Sequence, residues 1–273
     1  MENIMRLRRL LKDGKINALT MSYDDGVLEG DKLLIDIFNK NSIKGTFHLC
    51  GQNYVDGGKF CDMIPQIREM YSGHEIAMHT YSHPQLTLLP RAEVIDQVMR
   101  DKEVLEDIAG YPMRGLAYPC GTYNEQVVDI LEALDVKYAR TTAPTNSFKL
   151  PERFAVWNPT MSHAIGIHEK LDAMIANPWK ELMVLFVWGH SWAYLGDNPK
   201  CKWEAIESFC QTVGDNSDKI WSATCSEFYD YCTALSRIEV SANRKMFVNP
   251  SAATVWLSVD GETVELKPGV TKI

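Results

Sequence analysis

Asp24 and Asp25 stand side by side before Gly26 in the segment Ser22-Tyr23-Asp24-Asp25-Gly26, at the end of a run of strand-forming residues. The glycine lets the chain turn tightly and aim both acids into one pocket, where one can bind a metal while its neighbour stays free as a base. Alone, Asp-Asp-Gly reads as an ordinary turn. A second group changes the balance: His79-Thr80-Tyr81-Ser82-His83 sets two imidazoles four residues apart, and Pro84 keeps the pair out of a mid-helix setting. Two neutral imidazoles plus one carboxylate make a facial ligand set that suits zinc or another first-row divalent ion and leaves positions open for water and substrate.

Something must bring these groups together. Short apolar segments alternate with stretches of helical period: strands at 18–23, 45–50, 74–79, 115–119, 138–142, 182–188 and 220–225, helices at 31–40, 60–71, 91–109, 203–213 and 227–235. About seven strand-helix units emerge, and such a rhythm closes most easily into a parallel sheet or barrel with its chemistry on the loops at the carboxyl ends of the strands. The expected fold class is α/β, a (β/α)7-type distorted or incomplete barrel over residues 1–236. After about Arg237 the rhythm changes to short alternating strands, with Asp260-Gly261 marking a hairpin, and residues 237–273 read as a small C-terminal β appendage. That appendage is expected to cover the barrel rather than to recognise sugar.

The combined pattern resembles the polysaccharide deacetylase family built on the NodB homology domain. Thr20-Met21-Ser22-Tyr23-Asp24-Asp25-Gly26 is similar to the family's first motif, and the run from Gly73 through His79 and His83 to Pro84 is similar to its second. The resemblance spans roughly Ile16 to Ser236 and implies Asp24 as general base, with Asp25, His79 and His83 as ligands of one divalent ion: zinc first, with cobalt, manganese, iron or nickel as further fits. Ala117-Tyr118-Pro119-Cys120-Gly121-Thr122-Tyr123-Asn124 resembles the third motif, which implies the Cys120 backbone N–H as oxyanion donor and sets Tyr118 and Pro119 beside the substrate. The family usually has an arginine where this chain has Ala117, and Arg140 at the next strand end is the candidate replacement. The fourth motif has no clean match near Val156-Trp157-Asn158-Pro159-Thr160; His163 follows it and is a candidate pocket residue. Leu185-Phe186-Val187-Trp188-Gly189-His190 resembles the fifth, which implies His190 as the general acid, with Trp188 and Trp192 offering apolar faces to a sugar ring.

The implied activity is metal-dependent hydrolysis of acetyl groups on an acetylated amino sugar, oligosaccharide or polysaccharide. Two other readings remain open: a hydrolase of another C–N amide bond on the same fold, and a catalytically weak carbohydrate-binding protein. Keeping both Asp24 and His190 argues against the binder, since recognition alone needs neither base nor acid. The formal charge of -8, with no basic cluster beyond Arg6, Arg8 and Arg9, argues against nucleic acid as a partner. No apolar run approaches the roughly 18 residues of a spanning helix, so membrane insertion is not expected. The seven cysteines include no CxxC pair, and no export signal precedes them, so reduced thiols in the cytoplasm are the simpler expectation. A chain already stripped of its leader would look the same.

Overall fold

The computed structural model describes residues 6–178 and 180–273; residues 1–5, which open the first expected unit, and Trp179 lie outside the described residues. The first part of the chain runs β1 (Leu7–Leu10), β2 (Asn17–Asp24), α1 (Leu28–Lys40), β3 (Gly45–Leu49), α2 (Ile64–Met70), β4 (Glu75–Met78), α3 (Arg91–Ala109), β5 (Gly115–Ala117), α4 (Glu125–Ala133) and β6 (Tyr138–Arg140). It continues through β7 (Met161–Ser162), α5 (Ile167–Ala176), β8 (Met183–His190), α6 (Trp203–Asp215), β9 (Ile220–Ser222) and α7 (Cys225–Ser236). The tail adds β10 (Glu239–Val240), β11 (Met246–Asn249), β12 (Val255–Val259), β13 (Glu262–Leu266) and β14 (Gly269–Lys272).

Hydrogen-bonded neighbours follow the order β6-β5-β4-β3-β2-β8-β7, all parallel, and β9 shares one edge of β2 with β3. Every residue of β2 is buried, as a strand covered on both faces must be. Leu19, Met21 and Tyr23 face the helices, where Tyr23 and Phe47 meet Phe38 of α1 at ring separations of 6.0 and 6.4 Å. The alternate residues Thr20, Ser22 and Asp24 face the barrel interior. The ring of strands is linked across its open side by an irregular segment: the Trp157 N–H donates to Ala139 O and its carbonyl accepts from Thr141 N, while the Thr160 N–H donates to Phe186 O. This distorted, seven-position α/β barrel matches the expected class, and its parallel strands put all their carboxyl ends at one mouth.

Residues after α7, joined by β1, form two three-stranded sheets, β10-β11-β14 and β1-β12-β13. Leu7 to Leu10 pair antiparallel with Trp256 to Val259, so the first described strand is physically part of the tail's sheet. Phe247, Val255, Leu257 and Leu266 pack with Trp221 and Phe228 of the barrel in one apolar cluster. Tyr231 ties the three pieces together, donating to Leu10 O at 2.9 Å and accepting from Trp256 N at 3.1 Å. The hairpin at Asp260-Gly261 has φ values of 52° and 97°, the left-handed pair a two-residue turn requires.

Several boundaries differ from expectation. The helix expected over 60–71 begins at Ile64, after a 3-10 turn at Cys61–Met63, because Pro65 fits only the first turn of an α-helix. Strand β9 stops at Ser222, since Thr224 caps α7 by accepting from the Glu227 N–H. Helix α4 was not anticipated, although its Asn124 cap and the stripe Val127, Val128, Leu131 are both in the sequence. Among the described residues no helix is long and apolar enough to cross a membrane.

Candidate active site

The mouth gathers side chains from β2, β4, β6 and β8. Asp24 closes β2 level with His48 of β3 and His190 of β8. Just beyond it Asp25 adopts φ 77° and Gly26 φ 64°, which turns the second carboxylate away from the barrel axis and toward solvent. A side chain at position 26 would strike Leu49 and Tyr54 at under 3 Å, so glycine is required by space as well as by backbone.

His79, one residue past β4, is buried, and its Nδ1–H donates to Ala117 O at 2.8 Å. That bond fixes the tautomer and leaves Nε2 bare as a donor of electrons. Burial holds the imidazole below its ordinary pKa against the pull of Asp24, which keeps it neutral as metal binding needs. Nε2 lies 3.7 Å from Asp25 Oδ1, and His83 Nε2 lies 4.0 Å from the same oxygen. One cation with bonds of about 2.1 Å can span about 4.2 Å between two ligand atoms, which both Asp25–imidazole distances satisfy, and the three ligand atoms lie within 4.8 Å of one another, so Asp25, His79 and His83 are the candidate ligands of a single divalent ion.

Asp24 is held apart from that set. Its Oδ1 accepts from Arg140 Nη2 inside the barrel, and Arg140 is fully buried. Its Oδ2 points to the mouth, 3.8 Å from His79 Nε2 and 4.0 Å from His190 Nε2. Burial pushes the carboxyl upward, but Arg140, followed by His79, His48 and His190, outweighs it and holds the group well below the usual carboxylate range. The result is a carboxylate ionised at neutral pH whose second oxygen faces the imidazoles of His79 and His190. His190 sits between two indoles, with ring centroids 4.8 Å from Trp192 and 5.6 Å from Trp188, while the Arg140 guanidinium lies over Trp188 at 4.8 Å.

Of the other residues singled out in the sequence, His163, Tyr118 and Pro119 are buried. His163 is not brought to the mouth: its ring packs under Gly189, 4.8 Å from Tyr194 and 5.5 Å from Tyr23, and burial draws its pKa down to about 4. A neutral imidazole in that place fills the core behind β8. Tyr118 is likewise buried and donates its hydroxyl to Ala155 O at 2.7 Å, so with the buried Pro119 it supports the third loop from beneath. Cys120 lies exposed in the 3-10 turn Pro119–Gly121 with φ 56°.

Two buried acids were missed. Asp101 of α3 accepts from the backbone N–H of Gly51 at 2.7 Å and of His79 at 3.0 Å, and so anchors the loop that carries the two histidines. Asp31 of α1 accepts from Tyr71 Oη at 2.6 Å and from Ser191 Oγ, which fixes the turn after His190. In both helices the acid lies on the apolar stripe, between Val98 and Leu105 in one and beside Leu34 in the other. A charge on a buried face is the signal that could have found them.

Burial pushes Asp31 up to about 7, against the opposing hydroxyls of Ser191 and Tyr71. An acid whose folded pKa is raised gives stability that is full below its unfolded value near 3.9 and is lost as pH rises toward about 7. Asp31→Asn removes that titration. Its stability relative to the parent should therefore climb between pH 4 and 7, by at most about 1.4 kcal/mol per pH unit. Urea unfolding across that range checks this; a parallel pair of curves would show that Asp31 is ionised in the fold.

Residues 12–139 match the family model described as polysaccharide deacetylase. Over 111 residues the chain is 32% identical to chitin deacetylase 1 of Cryptococcus neoformans, covering 41% of this chain and 23% of that protein. Over 104 residues it is 33% identical to a peptidoglycan-N-acetylglucosamine deacetylase of Bacillus cereus, covering 38% and 36%. The matched region thus spans well under half the length of these relatives. Among solved structures, one from Mycobacterium smegmatis ascribed to a polysaccharide deacetylase superposes with a TM-score of 0.62 at 19% identity, covering 85% of this chain and 96% of that one. A family 4 acetyl xylan esterase from Clostridium thermocellum, in complex with a cobalt ion, superposes at 0.51 and 17% identity, covering 78% and 90%. At such identities the two structures establish a shared fold.

Proposed function

We propose, from the match of residues 12–139 to the polysaccharide deacetylase model, that the protein is a hydrolase that removes acetyl groups from an acetylated sugar with the help of one divalent ion. The observation that carries this reading is the division of labour between adjacent acids. Asp25 turns Oδ1 to His79 and His83 and has His190 at 3.8 Å from Oδ2, whereas Asp24 is bound by the buried Arg140 on Oδ1 and turns Oδ2 to His79 and His190.

Asp25, His79 and His83 would hold the ion, and zinc is the first choice for two imidazoles and one carboxylate. When bound, such an ion polarises the acetyl carbonyl and makes water acidic enough to attack near neutral pH. Asp24 Oδ2 accepts the proton of the attacking water, and Arg140 keeps that carboxylate ionised and aimed. The Cys120 backbone N–H, on the turn beyond β5, is assigned to the developing oxyanion. His190 hands a proton to the departing nitrogen or oxygen, and Trp188 with Trp192 flanks the sugar. The substrate class, N- or O-acetylated sugar such as chitin or peptidoglycan fragments, follows the relatives' names.

Acetate release is the direct test. Chelator-stripped protein, reloaded with zinc, cobalt, manganese or nothing, is assayed against N-acetylated and O-acetylated sugars. Release that requires added metal and returns with it is expected; silence across the panel, with metal bound, would transfer the site to another amide substrate or to binding without turnover.

A further inference from the structure

Trp192 combines two features that rarely coincide. Its side chain is exposed, 46% accessible at the rim of the mouth, yet its indole N–H donates a 2.9 Å hydrogen bond to Asp25 Oδ2. The same carboxylate turns Oδ1 to His79 and His83, and His190 Nε2 lies 3.8 Å from Oδ2, beyond hydrogen-bond reach. The backbone that carries Trp192 is pinned: Ser191 is buried, bonds to Asp31, and lies so close to Gly30 that a side chain there would strike it at 2.8 Å.

We propose that Trp192 is a positioning residue for the metal centre, its indole N–H occupying Asp25 Oδ2 so that this ligand offers one oxygen, Oδ1, to the ion. The inference rests on the metal reading above and adds a role that the aromatic ring alone would not provide. A partner outside the ligand shell that orients a ligand is worth roughly 10- to 100-fold in metal affinity. A neutral donor does this without cancelling the carboxylate's charge, as a lysine in the same place would.

The test is metal affinity, read without turnover. Stripped parent, Trp192→Phe and Asp25→Ala are titrated with cobalt, followed by its visible absorption, and with zinc in competition with a chelator. Phenylalanine keeps an aromatic ring beside His190 and deletes the donor together with the pyrrole half of the indole. Trp192→Phe is expected to bind both ions on the order of 10- to 100-fold more weakly, with an altered cobalt spectrum and an unchanged metal-free melting temperature; Asp25→Ala should bind more weakly still. Parent-like affinity in Trp192→Phe would overturn the proposal while leaving the metal site intact, as would a loss matched by a lower metal-free melting temperature. A parent that binds neither ion would overturn the metal reading itself, and this proposal with it.

Discussion

Arg140→Met should cost about 3–5 kcal/mol of folding stability and most of the acetate release, because it strands Asp24 as an unpaired charge inside the barrel. Arg140 is fully buried and bonds Asp24 Oδ1, with Thr141 O accepting from its other terminal nitrogen at 3.4 Å. Domains of ordinary stability have roughly 5–15 kcal/mol in total, so the variant should sit near the edge of folding. The sign of its pH dependence separates charge from packing. In the parent, the depressed pKa of Asp24 gives stability that is full above its unfolded value and is lost as pH falls toward the folded one. The gap between parent and variant should therefore be widest near neutrality and narrow on acidification; a gap constant with pH would assign the loss to the cavity left by the side chain.

Arg140 also permits a relocation. It pairs in register with Ala117 on the neighbouring strand, the position where the resemblance leads one to expect an arginine. Ala117→Arg combined with Arg140→Ala returns the guanidinium to β5 at the same depth, and partial recovery of acetate release relative to Arg140→Met would show that the base needs a cation rather than that particular strand. No recovery would mean that the space vacated over Trp188 is part of the site.

How far the site could be read from sequence follows from how each residue reaches it. Asp24, Asp25, His79, His83 and His190 each end or follow a strand, and in a parallel sheet that alone brings them to one mouth. Arg140 was legible only through a gap, the alanine at 117. Asp31 and Asp101 were visible as charges but were absorbed into helices, since helical periodicity records where a residue faces and not what it bonds. The donation from Trp192 to Asp25 joins positions 167 residues apart, and the pairing of Leu7 to Leu10 with the tail joins opposite ends of the chain. Neither leaves a local pattern. Trp157 was noticed beside a motif that failed to match, and its role in bridging β6 to β8 depends on backbone bonds that no side-chain pattern encodes.

Asp24→Asn should lower kcat by about 10²- to 10⁴-fold while the metal stays bound and KM changes little. Asparagine keeps an oxygen for Arg140 Nη2, so the hydrogen bond is retained while the buried guanidinium loses its counter-charge and the fold some stability. What disappears is the proton acceptor at Oδ2, the atom that faces His79 and His190 at 3.8 and 4.0 Å. Metal affinity should fall far less than turnover, because the proposed ligand atoms are those of Asp25, His79 and His83. This separates the two acids: Asp25→Ala should fail by losing the ion, Asp24→Asn with the ion in place. It also separates the enzyme from a protein that only recognises sugar, for which Asp24 has no task and asparagine would change nothing. Equal activity in parent and Asp24→Asn, with metal and sugar both bound, would leave the buried Arg140–Asp24 pair as structure and move the base to another group at the mouth.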